Sequence, residues 1–133
     1  MQLLTEEQLQ QLKKNGLPNN RSKDHFPVAK LFTPDAGATW LLTELDYEDP
    51  SIAFGLCDLG LGFPEIGYVS LEELKEVRGR LGLPIEQDKY FESKFPLSVY
   101  AEAARMMREV TERNDLLEKV AIALKTKRKP KPL

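Results

Sequence analysis

Four acidic residues have the types and spacing that best fit chemistry, and they lie on or beside predicted strands: Glu44, Asp46, Asp58 and Glu65. Carboxylates at one end of a sheet suit a hard cation, Mg²⁺ or Mn²⁺, which activates water and neutralises phosphate charge in phosphodiester cleavage. The set makes a metal site only if the strand register gathers all four, since a one-residue slip turns a side chain to the other face. Lys30, on the first strand, is the basic residue expected to serve such a site. A solvated acidic rim is the simpler interpretation.

Other catalytic groups are few. The chain has one histidine, His25, in a polar loop, and one cysteine, Cys57, in an apolar strand. A single histidine in a loop is typically exposed and without a catalytic role. A cysteine in an apolar strand is typically a small buried side chain. No glycine-rich loop followed by Lys and Ser or Thr is present, so the usual phosphate cradle is missing. Apart from Mg²⁺ or Mn²⁺ at the acidic set, no cofactor is predicted.

Basic residues are concentrated at the C-terminal end. Five of the 19 Lys and Arg residues lie in the last nine positions, and the remaining 14 face 21 acidic residues, which leaves the body with a formal charge of −7. The body repels nucleic acid, whereas the tail attracts it through salt-sensitive, unspecific contacts. The candidate nucleic-acid contacts are Lys125, Lys127, Arg128, Lys129 and Lys131.

The first part of the chain predicts a helix followed by a sheet. Thr5 and Gln8 have the spacing of a capping box, which predicts a helix over residues 5–15. Short β-prone runs then alternate with Pro and Gly turns, at 28–33, 39–47, 52–58 and 66–70. Such short spacing predicts an antiparallel meander. Regular alternation in the second run would place Trp40, Leu42, Glu44 and Asp46 on one face and Leu41, Thr43, Leu45 and Tyr47 on the other.

Helices are predicted after the sheet. Ser70 and Glu73 repeat the capping-box spacing and start a short helix that Gly79 closes. After an ordered connector, apolar residues recur at helical spacing from Pro96 onward, with a break around 112–115 that leaves one bent helix and two helices both open. The predicted fold is α+β: an antiparallel sheet of about four strands with an N-terminal helix, a short helix after the last strand and a long C-terminal helical extension.

The chain divides into three predicted parts. Residues 1–95 form the mixed α+β domain, 96–124 the helical extension, and 125–133 a basic flexible tail. The apolar stripe of the extension needs a partner surface, which is either the sheet, the favoured interpretation, or a second copy in a homodimer. No window of about 18 apolar residues and no secretory signal pattern is present, which predicts a cytoplasmic protein without membrane contact.

Several motifs resemble a known family. They are the FTP turn at 32–34, the Trp40 strand with Glu44, the EIGY strand at 65–68, the helix start at Ser70, and the connector LGLPIEQDKYF. Together they resemble the small bacterial proteins catalogued as domain of unknown function twenty-nine fifty-eight, over roughly residues 1–93. The resemblance implies a bacterial origin on plasmids or integrative elements. It leaves the extension and the tail outside the matching part.

Two functions follow as hypotheses. The leading one is a non-enzymatic binding module of a bacterial mobile element, whose C-terminal helix and basic tail contact a protein or a nucleic acid. The alternative is a metal-dependent enzyme acting on a nucleic acid or nucleotide through the acidic set. The separation of the carboxylates discriminates the two, because one ion binds oxygen ligands at about 2–2.6 Å.

Overall fold

The computed structural model describes residues 2–128 and shows a five-stranded antiparallel sheet with helices on both faces. The helices are α1 (Glu6–Asn15), α2 (Leu71–Glu76), α3 (Leu97–Met107) and α4 (Asn114–Arg128). The strands are β1 (Ala29–Phe32), β2 (Thr39–Leu45), β3 (Ile52–Asp58), β4 (Glu65–Ser70) and β5 (Glu86–Gln87), in the order β4-β3-β2-β1-β5. The predicted α+β class and the meander are confirmed. None of the helices in this part of the chain has the length and apolar character needed to cross a bilayer.

A fifth strand extends the predicted sheet. The two residues of β5 pair with Leu31 and Phe32 at the outer edge of β1. A run this short carries no period-2 pattern, and its pairing depends on the connector that delivers it. That connector is fixed by Asp35, whose Oδ2 accepts hydrogen bonds from the backbone N–H groups of Leu81 (2.6 Å) and Leu83 (3.3 Å).

Gly79 has a different role from the one predicted. The helix α2 ends at Glu76 rather than at Gly79. Gly79 lies directly against the Asp35 carboxylate, and a Cβ at this position would stand 1.6 Å from Oδ1. The fold requires glycine here because a side chain would collide with Asp35, and not because a helix ends at this residue.

The sheet separates two cores. On one face, Leu12 of α1 and Leu74 of α2 pack with Trp40 and Leu42 of β2. On the other face, α3 and α4 pack on β2 and β3 through these buried residues: Leu41, Leu56, Val99, Tyr100, Ala103, Leu117 and Val120. The extension therefore contacts the sheet directly. Because both faces are covered, β2 is apolar on both sides, as its sequence indicated.

A β-bulge corrects the predicted faces of β2. Leu42 pairs with Gly55 but Glu44 pairs with Phe54, which leaves Thr43 as an extra residue. Past the bulge the alternation is shifted by one position, so Leu45 joins the core with α1 and Glu44 lies on the α3 side. The Thr43 carbonyl accepts a hydrogen bond from the Asn15 side chain (2.8 Å), which satisfies a group that the irregular ladder leaves free.

The extension forms two helices. The helix α3 ends at Met107, its C-cap Arg108 adopts a left-handed conformation (φ 62°), and α4 begins at Asn114. At the other end of α3, Asp24 acts as a distant cap by accepting a hydrogen bond from the Ser98 backbone N–H (3.1 Å). The helix α4 continues to Arg128, so the first residues of the predicted tail are helical; Lys129 and Lys131 lie outside the described residues.

Candidate functional site

The structure divides the four acidic residues between two ends of the sheet. Asp58 pairs with the first residue of β2, whereas Glu44 is the sixth. At about 3.3 Å per residue, these two positions are about 16 Å apart. Asp46 follows Glu44 at one end, and Glu65 begins β4 at the end that carries Asp58. The four carboxylates therefore do not meet at one end of the sheet, as the hypothesis of a shared metal site requires.

Asp58 uses its carboxylate to hold two loops. Its side chain is buried, and Oδ1 accepts a hydrogen bond from the Gly60 backbone N–H (2.9 Å). Oδ2 accepts one from the Val110 backbone N–H (3.0 Å). The residue thus joins the β3–β4 loop to the α3–α4 linker, and both oxygens serve the fold.

Glu44 lies in a mixed charged environment. Burial raises the pKa of its carboxyl, an effect that the nearby positive charges of His25 and Arg21 oppose and the negative charge of Asp46 reinforces. Asp46 itself caps the β2–β3 turn, because its Oδ2 accepts hydrogen bonds from the backbone N–H groups of Glu48 (3.2 Å) and Asp49 (3.0 Å). Within residues 2–128, no group of three or more His, Cys, Asp and Glu side chains could hold a metal ion.

Lys30 pairs with other acids than those expected. Its Nζ lies 2.5 Å from Glu112 Oε2 in the α3–α4 linker and 3.4 Å from Asp88 Oδ2 in the connector. The lysine is largely shielded from solvent, at 17% side-chain exposure. It therefore ties the linker and the connector to β1, and two carboxylates already balance its charge.

The remaining predicted residues are spread over the molecule. His25 Nε2 lies 2.7 Å from the Asn20 carbonyl oxygen, in the loop before β1. Cys57 packs beside the core with α1, and burial raises the pKa of its thiol, which disfavours a reactive thiolate. Lys125 is exposed on α4, and positions 127 and 128 end that helix.

An exposed apolar segment lies outside the predicted sites. Five large hydrophobic side chains within ten residues are exposed: Leu59 (61%), Leu61 (74%), Phe63 (74%), Ile66 (47%) and Tyr68 (67%). We call them the β4 apolar surface. The first three lie in the β3–β4 loop, where Gly60 and Gly62 adopt positive φ, and the last two lie on one face of β4. Single exposed hydrophobics are ordinary, whereas several within one short segment are typical of an interaction site.

The sequence does not reveal this surface directly, because the glycines and the proline of Leu-Gly-Leu-Gly-Phe-Pro predict an ordinary turn. The signal that could have found it is the absence of any polar side chain from the six-residue segment 59–64. A turn exposed only to water normally carries Asn, Asp or Ser among its glycines.

The apolar surface adjoins a free sheet edge. β4 is the outermost strand and pairs on one side only, with β3. Its residues range from half-buried to exposed, so neither face of the strand is sealed. Phe54 of β3 supports Tyr68 through a tilted ring contact with centroids 5.0 Å apart.

The fold and surface define a small α+β protein whose antiparallel sheet is covered by helices on both faces and open at one edge. Comparison with known families places it further: the model described as "Protein of unknown function (DUF2958)" matches residues 3–111, and the chain belongs to that family. The match extends beyond the predicted limit near residue 93 and includes α3 and most of the linker. No curated protein and no solved structure matches the chain.

Proposed function

We propose that the protein is a non-enzymatic binding module that docks a protein partner on the β4 apolar surface. The observation that carries the proposal is the exposure of its five side chains, from 47% to 74%, in a segment of ten residues. Burying apolar surface is favourable by about 25 cal/mol of free energy per Å², so a partner that covers these side chains gains affinity. The exposure of these side chains favours a contact at the sheet edge over one on the C-terminal helices.

The support around this surface is rigid. The carboxylate of Asp58 holds the loop at Gly60, and the same loop touches the β1–β2 hairpin, where a Cβ at Gly60 would stand 3.0 Å from the Gly37 carbonyl oxygen. A loop fixed on two sides presents its apolar side chains in one arrangement. Preorganisation of this kind lowers the entropy cost of binding.

A photo-crosslinking residue tests the proposal. Benzoylphenylalanine at position 63 should give a discrete crosslinked protein in cells of the strain that encodes the chain. The matched control is the same residue at position 90, since Tyr90 is 93% exposed but lies in the connector. Equal crosslinking at both positions, or none at position 63, contradicts the proposal.

The setting of this module is also a proposal. The family resemblance implies an accessory protein of a bacterial plasmid or integrative element. Action in the cytoplasm is proposed from the sequence, which has no secretory signal pattern. Nucleic-acid binding by the basic residues from Lys125 onward is a second proposed function, supported by their contrast with a body of formal charge −7, which follows from 14 basic and 21 acidic residues outside the tail.

A further inference from the structure

We propose that the occupant of the sheet edge is an extended segment of another protein, which adds as a sixth strand antiparallel to β4. Its first residues are basic and its later residues alternate apolar with polar. This inference rests on the proposed function, because it names the chemistry of the partner that docks on the β4 apolar surface. It is a case of strand addition, in which main-chain hydrogen bonds provide affinity and alternate side chains provide specificity.

The backbone of β4 determines which groups are free. The Leu71 N–H donates to the Ser51 carbonyl (2.8 Å), one step beyond the last ladder pair. Hydrogen-bonded pairs alternate along an antiparallel ladder, so every second residue before Leu71 also bonds toward β3. The residues between them are Ile66, Tyr68 and Ser70. Ile66 and Tyr68 direct both their N–H and C=O groups to the open edge, and Ser70 directs its N–H there, because its C=O belongs to the start of α2. An extended chain is the partner that satisfies this row.

The edge also lacks the usual protection against strand pairing. Exposed edges are commonly protected by Lys, Pro, a bulge or short length. β4 spans six residues without Lys, Arg or Pro, and its register with β3 runs without a shift. Gly67 leaves open space where a Cβ would be, so a neighbouring backbone can approach. At the opposite edge, β5 has only two residues.

Charge indicates the composition of an added strand that runs antiparallel to β4. The Ser70 end of β4 has a net negative charge. Glu72 and Glu73 open α2 there, with Lys75 paired to Glu72 (3.2 Å), and Ser51, bonded to Leu71, closes a turn that carries Glu48 and Asp49. The other end carries the apolar loop together with the exposed carboxylate of Glu65. A strand antiparallel to β4 begins at the acidic end and finishes beside Leu61 and Phe63, so basic residues come first and apolar residues follow.

The same charges disfavour a second copy as the occupant. In a two-fold β4–β4 pair, Glu65 of one copy meets the Ser70 end of the other, where α2 begins with Glu72 and Glu73. Like charges opposed across a strand pair are destabilising. A basic segment of a different protein meets attraction at the same place.

A peptide selection tests the inference. The intact protein serves as bait for a library of random twelve-residue peptides, and synthetic copies of the selected peptides are titrated by fluorescence anisotropy. We expect them to share basic residues followed by alternating apolar positions. Binding should protect the Ile66, Tyr68 and Ser70 amides from hydrogen exchange.

Two substitutions at one position separate strand addition from simple apolar docking. Tyr68→Pro removes an N–H that faces the open edge and leaves the bonds to β3 in place, whereas Tyr68→Thr removes the same ring but keeps the N–H. We expect at least a tenfold loss of affinity for the proline variant beyond that of the threonine variant. The double change Glu72→Lys and Glu73→Lys should weaken binding at least fivefold at low salt.

A measurement on the wild-type protein makes the test independent of variant folding. N-methylation of the peptide amides that face β4 should abolish binding, while methylation of the alternate amides should leave it within about threefold. Failure to select any peptide, apolar residues at helical spacing, or equal effects of both methylation patterns would overturn the inference. A wild-type dimer that Tyr68→Pro converts to a monomer would overturn it in favour of a second copy. A crosslink at position 63 that persists when these tests fail keeps the proposed function and rejects only the strand mode.

Discussion

Individual carboxylates in this protein differ in what surrounds them, and that difference decides their roles. Asp58 and Glu65 are both near the start of β4, yet Asp58 is buried with two backbone donors and Glu65 is exposed. Sequence alone gives them equal standing as candidate ligands. The contacts assign one to structure and leave the other at the surface.

Asp58→Asn should destabilise the fold, because the amide keeps one acceptor and points a donor at a backbone N–H. We expect the free energy of unfolding to fall by about 1.5–3 kcal/mol, the range for a hydrogen bond to a charged group. Urea denaturation measures this change. Glu65→Gln is the matched control and should stay within about 0.5 kcal/mol of wild type. Equal stability of both variants would show that the two contacts of Asp58 contribute little.

The raised pKa of Glu44 predicts that the free energy of unfolding depends on pH. Since its pKa in the folded state lies above the ordinary value of 4.5, its protonated form favours folding, and this contribution is lost as the pH rises through the raised pKa. Glu44→Gln does not titrate at this position. The stability of the variant relative to wild type should therefore be constant below pH 4.5 and increase above it.

Urea denaturation of both proteins from pH 4 to 8, at intervals of about half a pH unit, measures the stability difference between the variant and wild type. Repeating the series at about 0.5 M salt provides the control, because salt screens the attraction of His25 and Arg21 but leaves the effect of burial. The increase should persist in salt. A difference that falls with pH would show that the neighbouring cations outweigh burial.

Secondary-structure elements followed from the sequence where local chemistry specifies them. The capping box of Thr5 and Gln8 is present with both hydrogen bonds, at 2.9 and 3.1 Å, and the four longer strands occupy the predicted runs. Register did not follow, because pairing depends on residues far apart in the chain. The Thr43 bulge reverses the faces of Glu44 and Leu45 relative to regular alternation, and no local signal announces it.

The candidate site was less predictable than the fold. Four acids on neighbouring strands look convergent when strand length is ignored, but seven-residue strands place the ends of β2 and β3 far apart. Exposure was the other missing quantity. Leu61 and Ile85 are the same kind of residue in the sequence, yet one is 74% exposed and the other 3%.

The left-handed backbone of Arg108, between α3 and α4, predicts that glycine would be more stable than arginine at this position. A non-glycine residue in the left-handed region costs roughly 1–2 kcal/mol, and glycine at a helix C-terminus avoids this cost. Arg108→Gly should therefore raise the free energy of unfolding by about 1 kcal/mol, as measured by urea denaturation. The same change inside the helix, Arg105→Gly, should lower it by about 1 kcal/mol. Destabilisation by Arg108→Gly would mean that its side chain contributes contacts worth more than the strain.

Positive charge is concentrated at the C-terminal end of the chain, whereas the rest has a formal charge of −7. Removing that positive charge should not disturb the fold. Replacing the basic residues from Lys125 to Lys131 by glutamine should abolish retention of DNA or RNA at low salt and leave the melting temperature unchanged, because the buried residues of α4, Leu117 and Val120, are untouched. The measurement is nucleic-acid retention across a salt series. Unchanged retention would remove nucleic-acid binding from the functions proposed for this end of the chain.

The bulge in β2 bears on how relatives of this chain should be compared. Thr43 has no pairing partner on β3. A relative that lacks this one residue would therefore keep the same strand pairing on both sides of the deletion. Its counterparts of Glu44 and Leu45 would remain on their present sides of the sheet. Sequence alignments within the family should therefore accept a one-residue gap at Thr43, and at that site a difference in length leaves the layers of the fold unchanged.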